Sequence, residues 1–282
     1  MRLATATAFA TLVLCSVFCL AVDQQSVSRL RPLQFSHQAA SGSLQFQTSS
    51  PYDPYLTKLR DEFELERLVA GKKTDYEKLR ALSAWAHSRW EQDGQSAAER
   101  QDPISILDEA RLGRDFRSDE YSIVLSAALN AVGIPARVLN LMMQDVETRD
   151  TGATHAVVEA YLFSLKKWVM IDPQFDAVPK LAGKPLNAVE LQRALANHSA
   201  GFSVDTKAGT TASQCADFVA PYLFYFKVTF DETFPAMREK HSLILVPIGA
   251  KNVTVFHRTQ PVGKTTYTHS LGDFYAAPAV NL

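Results

Sequence analysis

The sequence RSDEYSIVLSAALNAVGIPAR, from Arg117 to Arg137, carries the strongest structural signal of this chain. Its apolar residues recur three and four positions apart, which is the spacing of one face of an α-helix. These residues are Tyr121, Val124, Leu125, Ala128, Leu129 and Val132. Gly133 and Pro135 follow them, and this order is typical of a helix C-terminus. The segment therefore predicts a long, largely buried helix that begins near Ser118 and ends near Gly133.

Downstream of this helix the apolar pattern changes to a period of two, which indicates β-strands. We expect strands over Ala136–Met142, His155–Phe163 and Trp168–Ile171, with a turn at Lys166-Lys167 between the second and the third. A further helix is expected over Leu186–Ala196, followed by a loop over residues 200–213. Short strands are expected after that loop, over Tyr222–Thr229, Ser242–Pro247, Asn252–His257 and Thr265–Ser270.

Upstream of Arg117 the pattern is helical. Apolar spacing predicts helices from Pro54 to Gly71, from Thr74 to about Gly94, and over Ile104–Leu112. Thr74 and Glu77 have the spacing of a capping box, in which each side chain bonds the backbone of the other residue. Because helices come first and antiparallel strands follow, the order predicts the α+β class, with N-terminal helices packed on an antiparallel sheet.

Composition limits the classes of function. The chain has 282 residues, with 29 Lys and Arg against 30 Asp and Glu, for a formal net charge of −1. This balance gives no long-range attraction to phosphate backbones, so we expect no nucleic-acid partner. The sequence has no paired Cys and His at the spacing of metal ligands, so we expect no metal and no cofactor. The sequence does not give the oligomeric state.

The first residues have the pattern of a secretory signal peptide. Arg2 precedes an uncharged apolar run from Leu3 to Val22, and Ala21 suits the position before the cut. A retained membrane anchor is the alternative, because about 20 apolar residues can span a bilayer. We expect a signal peptide over residues 1–21, and hence a secreted or periplasmic protein that makes no membrane contact after cleavage. Cys215 would then be the one cysteine of the mature chain.

Residues 22–50 are rich in Gln and Ser and are expected to form a flexible lead-in, with one strand around Leu44–Phe46. Residues 51–200 are expected to form the core. Residues 201–282 are expected to form a β-rich C-terminal extension of the same domain. Cys215 lies in that extension, far along the chain from the decisive helix, and is not expected to be a nucleophile.

Three residues occupy positions that suit a catalytic set. Ser118 opens the long helix, His155 begins a strand, and Asp172 ends the next strand. The N–H groups at a helix N-terminus stabilise an anion, and an imidazole oriented by a carboxylate is a general base. Each residue also has a simpler interpretation: Ser118 as a helix N-cap, His155 as an ordinary strand histidine, and Asp172 as a turn residue before Pro173.

Other polar residues near these positions have two interpretations. Gln174 and Asp176 either line the same cleft or form a polar turn, and we favour the turn. His87 either packs in the core beside Trp85 and Trp90 or forms a cleft wall, and we favour the core. The aromatic cluster Tyr222, Phe224, Tyr225 and Phe226 is likewise expected to belong to the core.

The segments FRSDEYSIVLSAALNAVGIPARVL, THAVVEAYL and KWVMIDPQ resemble the core of the transglutaminase-like superfamily. The upstream segments YEKLRALSAWAHSRW and DPISILDEA are similar to the helices that precede this core, so the resemblance covers residues 52–176. It implies a papain-like fold and a Cys-His-Asp triad in this chain order. His155 matches the triad His and Asp172 the triad Asp, whereas Ser118 stands where the nucleophilic Cys is expected.

The serine leaves two hypotheses open. A thiol is partly ionised near neutral pH, but a serine hydroxyl depends wholly on its general base. The first hypothesis is a catalytically degenerate protein that binds peptide or protein segments in the inherited cleft. The second is an active amide hydrolase or acyltransferase with Ser118 as nucleophile, His155 as base and Asp172 orienting it. We favour the first, because Asp119 and Glu120 also disfavour an anion at Ser118.

Overall fold

The computed structural model describes residue 27, residues 30–38, residue 44 and residues 46–91, 96–230 and 241–279. The expected signal peptide over residues 1–21 lies outside these residues. Within them the helices are α1 (Pro54–Glu62), α2 (Leu65–Val69), α3 (Asp75–His87), α4 (Pro103–Arg111), α5 (Ser118–Ala131), α6 (Ala188–Ala196), α7 (Ala212–Val219) and α8 (Leu271–Phe274). No helix of the described part of the chain has the length and apolar character needed to cross a membrane.

A six-stranded sheet forms the centre of the molecule, with the strand order β11-β8-β7-β1-β2-β3. Its strands are β1 (Ala136–Met142), β2 (Thr154–Leu162), β3 (Lys167–Ile171), β7 (Tyr225–Thr229), β8 (Ser242–Leu245) and β11 (Thr265–Thr268). Neighbouring strands are antiparallel except β8 and β11, which are parallel. The structure therefore confirms the α+β class and the antiparallel arrangement of β1, β2 and β3.

Two smaller sheets accompany the central one. The first has the order β5-β4-β6, from β4 (Ala177–Leu181), β5 (Lys184–Pro185) and β6 (Phe202–Thr206). The second pairs β9 (Val255–Phe256) with β10 (Gln260–Pro261). Strand β6 lies within residues 200–213, which the sequence predicts to be a loop. Most of α7 lies just after this segment, where the sequence predicts no helix or strand. Strand β6 forms because it pairs with β4, and that contact between distant segments has no local sequence signal.

The two faces of the central sheet are covered by different helices. Alternate residues of β2 show this, because Val158 packs with the cluster from α1 to α5 and Val157 packs with the cluster from α6, α7 and α8. Helix α5 is buried along most of its length, as its apolar pattern predicts. The N-terminus of α5 consequently lies against the central sheet, at the start of β2.

Parts of the segment expected to be a flexible lead-in are packed into the molecule. Phe35 and Phe46 are buried, and both belong to the cluster beneath α6 and α8. Ser36 forms a bridge to Ser270. Of the strand expected around Leu44–Phe46, residue 45 lies outside the described residues and residues 44 and 46 are not in a strand, while the next residue, Gln47, forms a single bridge to Ala279. These contacts join residues at opposite ends of the chain.

Candidate active site

Ser118 is the first residue of α5, and its hydroxyl contacts the sheet. Arg117 holds the N-cap position in an extended conformation, so Ser118 does not have the N-cap role that its residue type suggests. Instead Ser118 Oγ accepts a hydrogen bond from the backbone N–H of Ala156, at 3.4 Å. Because Ala156 follows His155 in β2, this contact places Ser118 beside the backbone of His155.

His155 and Asp172 form a buried hydrogen-bonded pair. His155 lies near the start of β2 and Asp172 directly follows β3, so the antiparallel pairing of these strands brings the two residues together. His155 Nε2 is 2.7 Å from Asp172 Oδ2, and the two residues are 3% and 2% exposed. An ionised carboxylate only accepts hydrogen bonds, so opposite an ionised Asp172 the donor is Nε2 and the basic nitrogen is Nδ1.

The third contact of a complete triad is not formed. Among the hydrogen bonds of the described residues, none joins Ser118 Oγ to His155. The three residues that the sequence singles out therefore lie in one corner of the molecule, but only His155 and Asp172 are bonded to each other. For Ser118 to act as a nucleophile, its hydroxyl would have to reach His155 Nδ1.

Three half-buried aromatic rings surround the imidazole of His155. The ring centroids of Phe218, Tyr222 and Phe175 lie 5.0, 5.7 and 6.5 Å from that of His155. Phe218 belongs to α7, and Tyr222 to the 3-10 turn Ala220–Tyr222 that follows it. The sequence predicts a core position for Tyr222 and gives no signal for Phe175 or Phe218, because nothing local relates these segments to β2.

Cys215, on the buried side of α7, is close enough to Asp172 to be affected by its charge. Burial and the negative charge of Asp172 raise the pKa of the Cys215 thiol to about 12. Since the thiolate is the reactive form, this thiol is unreactive in the folded protein. Its burial and raised pKa therefore argue against Cys215 as a nucleophile.

The turn between β3 and β4 is fixed by α3. Asp176 lies in this turn, which is the interpretation that the sequence favours, but it is fully buried and its carboxylate accepts bonds from Arg80 and Ser83. Gln174 is also buried, and its N–H donates to Asp172 Oδ1 at 3.1 Å. His87 Nδ1 lies 3.3 Å from the carbonyl oxygen of Pro173. His87 thus contacts the turn that carries Asp172.

The described residues contain no group of three or more His, Cys, Asp or Glu side chains that could hold a metal ion. The corner holds the pair of His155 and Asp172, with Ser118 beside it. A carboxylate that orients an imidazole, next to the N–H groups at a helix N-terminus, is an arrangement suited to acyl transfer.

Comparison with known proteins finds similarity to one family model and to several solved structures. Residues 65–173 match the model of the transglutaminase-like superfamily. Among solved structures, a candidate cysteine protease from Cytophaga hutchinsonii is 17% identical, with a TM-score of 0.35 over 57% of this chain and 50% of that chain. A transglutaminase is 19% identical, with a TM-score of 0.31 over 45% of this chain and 33% of that chain.

A candidate protease from Parabacteroides distasonis is 17% identical, with a TM-score of 0.31 over 55% of this chain and 29% of that chain. The present chain thus spans half or less of the length of these structures. None of the curated proteins matches the chain. The family match covers the helices and strands that carry Ser118, His155 and Asp172, so this segment is similar to the core of the transglutaminase-like superfamily.

Proposed function

We propose that this protein is a catalytically degenerate transglutaminase-like domain that binds peptide or protein segments in the cleft beside His155. One observation carries the proposal: Ser118 Oγ is bonded to the backbone of Ala156 and not to His155. A serine hydroxyl is unreactive without a base to remove its proton. The half-buried rings of Phe218 and Tyr222 offer apolar surface against which a peptide side chain can pack.

A second candidate function is amide hydrolysis or acyl transfer by Ser118, His155 and Asp172. The 2.7 Å bond between His155 Nε2 and Asp172 Oδ2 favours it, because a site released from catalysis has no need to keep this pair. In this case Ser118 turns from Ala156 to His155 Nδ1 when a substrate binds. The two candidates therefore differ in whether the pair still activates a nucleophile at position 118.

Reinstating a thiol at position 118 distinguishes the two. We would make Ser118→Cys in a Cys215→Ala background and measure the rate of iodoacetamide alkylation against pH. Degeneracy predicts a thiol pKa at or above the ordinary value of about 8.5. A pKa far below that value, which the added change Asp172→Asn raises again, would contradict degeneracy and favour the enzyme.

Labelling of the unmodified serine gives a second, independent measurement. A fluorophosphonate reacts with activated serines, so the proposal expects no adduct on Ser118 of the wild-type protein. The Ser118→Ala variant is the matched control, since it removes the candidate nucleophile and leaves every other serine. An adduct found on Ser118, and absent from the control, would establish a working nucleophile.

Peptide binding is tested separately. Peptides selected from a random phage-displayed library on the wild-type protein are synthesised and titrated by fluorescence anisotropy. The proposal expects Phe218→Ala to weaken binding about tenfold or more, as the loss of an aromatic contact does. Phe163→Ala is the matched control, because Phe163 is an exposed ring beyond the far end of β2. Equal affinity for both variants would place the peptide elsewhere.

The location of the protein is also a proposal. The apolar run from Leu3 to Val22 supports secretion or export to the periplasm, with cleavage after Ala21. The intact mass of the protein recovered from its native host tests this, since cleavage leaves a chain that begins at Val22. Recovery of a chain that retains residues 1–21 would contradict it.

A further inference from the structure

The turn that joins β3 to β4 determines where the carboxylate of Asp172 points. Asp172 and Ala177 close this turn with two backbone hydrogen bonds, each of 2.9 Å. Within it, the N–H of Gln174 donates to Asp172 Oδ1 at 3.1 Å, which leaves Oδ2 for His155. The orientation of the carboxylate therefore depends on the conformation of residues 172–177.

Asp176 has an unusual place in this turn. Its backbone φ is +45°, in the left-handed region that residues other than glycine rarely adopt. Its carboxylate is fully buried and accepts from Arg80 Nη1 at 2.8 Å and Arg80 Nη2 at 3.0 Å. Ser83 Oγ donates to it at 2.5 Å and the N–H of Lys207 at 2.9 Å. Four donors thus hold a buried residue in a strained backbone conformation.

Helix α3 supplies most of these contacts from one face. Arg80, Ser83 and His87 are spaced three and four residues apart, so their side chains lie in a row along the helix. Arg80 and Ser83 bond Asp176, while His87 Nδ1 lies 3.3 Å from the carbonyl oxygen of Pro173. One rigid element therefore contacts the turn near both of its ends.

The pair of Arg80 and Asp176 is ionic. Burial by itself would lower the pKa of Arg80, but the hydrogen bonds and the charge of Asp176 raise it above its usual range. Arg80 Nε also lies 3.3 Å from Asp205 Oδ1. A guanidinium that bonds both oxygens of a carboxylate fixes its angle as well as its distance. Such a contact sets the geometry of the turn more strictly than a single hydrogen bond.

We propose that Asp176 is a positioning residue, which acts through its ion pair with Arg80 and its bond from Ser83 to hold the turn that directs Asp172 toward His155. Asp176 touches neither Ser118 nor His155, and its effect passes through the backbone of residues 172–177. The inference concerns the His155–Asp172 pair alone, so it is independent of which candidate function applies.

The test follows local hydrogen exchange by NMR in the full-length protein. The amide proton of Gln174 reports the Asp172 carboxylate directly, and the far-downfield proton of His155 Nε2 reports the pair itself. We expect Asp176→Asn to speed exchange at Gln174 about tenfold or more and to broaden or abolish the Nε2 proton signal. Amides in the middle of β1 should keep their wild-type rates, because the change is local.

Glu159→Gln is the matched control. It also removes one carboxylate charge from a fully buried pair with an arginine, Arg137, but it leaves the turn intact. We expect it to leave exchange at Gln174 and the Nε2 signal unchanged. If Glu159→Gln speeds exchange at Gln174 as much as Asp176→Asn does, the effect of Asp176 is one of general stability, and the proposal is overturned.

Ser83→Ala provides a milder variant in case Asp176→Asn does not fold. It removes one of four donors to Asp176 and keeps the ion pair, so we expect exchange at Gln174 to rise about threefold. Unchanged exchange at Gln174 in a folded Asp176→Asn protein overturns the proposal. If that protein is unfolded, unchanged exchange in Ser83→Ala overturns it instead.

Discussion

Two buried ion pairs of the same chemistry lie on opposite sides of the central sheet and have different surroundings. Arg137 Nη2 is 2.7 Å from Glu159 Oε2, and Arg80 Nη1 is 2.8 Å from Asp176 Oδ1. Aromatic rings enclose the guanidinium of Arg137, with centroids within 6 Å: those of Trp168, Phe46, Phe274 and Tyr275. Polar partners surround the other pair.

The difference indicates what each pair does. Arg137 joins β1 to both ends of the chain, because it stacks on Phe46 and its Nη1 donates to the carbonyl oxygen of Phe274 at 3.0 Å. Arg80 joins α3 to one turn beside the candidate site. A buried charge left without its partner is very costly, so removing one partner of either pair is destabilising. Only the second has a direct connection to Asp172.

The largest effect is expected for Arg137→Met. It leaves the carboxylate of Glu159 buried without a cation, and it removes the stacking on four rings, so the free energy of unfolding should fall by about 4–5 kcal/mol. Urea denaturation measures this loss. The control Arg149→Met removes an exposed pair with Asp145 and should cost less than about 1 kcal/mol. Equal losses in the two variants would show that neither the burial of this pair nor its aromatic contacts adds to stability.

A smaller loss is expected for Arg80→Met, about 3 kcal/mol by the same measurement. In this variant the carboxylate of Asp176 keeps its hydrogen bonds from Ser83 and Lys207. The carboxylate of Asp205 keeps its bond from Lys180, so both carboxylates retain hydrogen-bond donors. Unlike Arg137→Met, this variant should also loosen the turn. A loss greater than that of Arg137→Met would reverse the order of the two pairs.

Phe46→Leu isolates the aromatic part of the first pair. The ring of Phe46 lies 4.5 Å from the guanidinium carbon of Arg137, and leucine fills much of the same space without a π-face. We expect a loss of about 1 kcal/mol in the free energy of unfolding. Phe163→Leu, at an exposed ring, serves as the control and should change little. No difference between the two variants would argue against a cation–π contribution.

The smallest effect concerns pH and the second pair. Burial acts to raise the pKa of Asp205, but hydrogen bonds from Lys180 and Tyr76 outweigh it, and the net shift is downward. A lowered folded-state pKa contributes stability above the ordinary value near 3.9 that is lost as pH falls further. Asp205 is one-third exposed, so the contribution is under about 1 kcal/mol.

Urea midpoints of the wild-type protein and of Asp205→Asn, measured from pH 6 to pH 3, check this expectation. The gap between the two proteins should narrow toward the acid end, because the wild-type carboxylate then becomes neutral like the amide. A gap that widens on acidification would mean that the pKa of Asp205 is raised instead.

The sequence predicts the parts of the fold whose signals are local. The strand over Ala136–Met142 is confirmed with its bounds, and β2 is displaced by one residue from the predicted His155–Phe163. Helix α5 also follows its apolar spacing. The placement of Ser118, His155 and Asp172 in one corner rests on these elements. Short elements with period-two or period-3.6 patterns therefore suffice to locate the candidate site.

What the sequence does not reveal depends on distant partners. Arg80 and Asp176 are 96 residues apart, and an aspartate before a strand has the pattern of an ordinary turn. Phe35 and Phe46 lie in a Gln- and Ser-rich stretch that has too little periodicity to indicate burial. Helix α7 has one local signal, the capping box of Thr211 and Gln214, but the residues before it are typical of a loop.

The burial of Cys215 has a practical consequence for following the protein over time. It is the one cysteine among the residues that the structure describes, and its thiol is buried with a pKa of about 12. A thiol in this state neither alkylates nor pairs with another chain while the protein is folded. The fraction of molecules with oxidised or cross-linked Cys215 therefore reports how many molecules in a sample have unfolded since it was prepared.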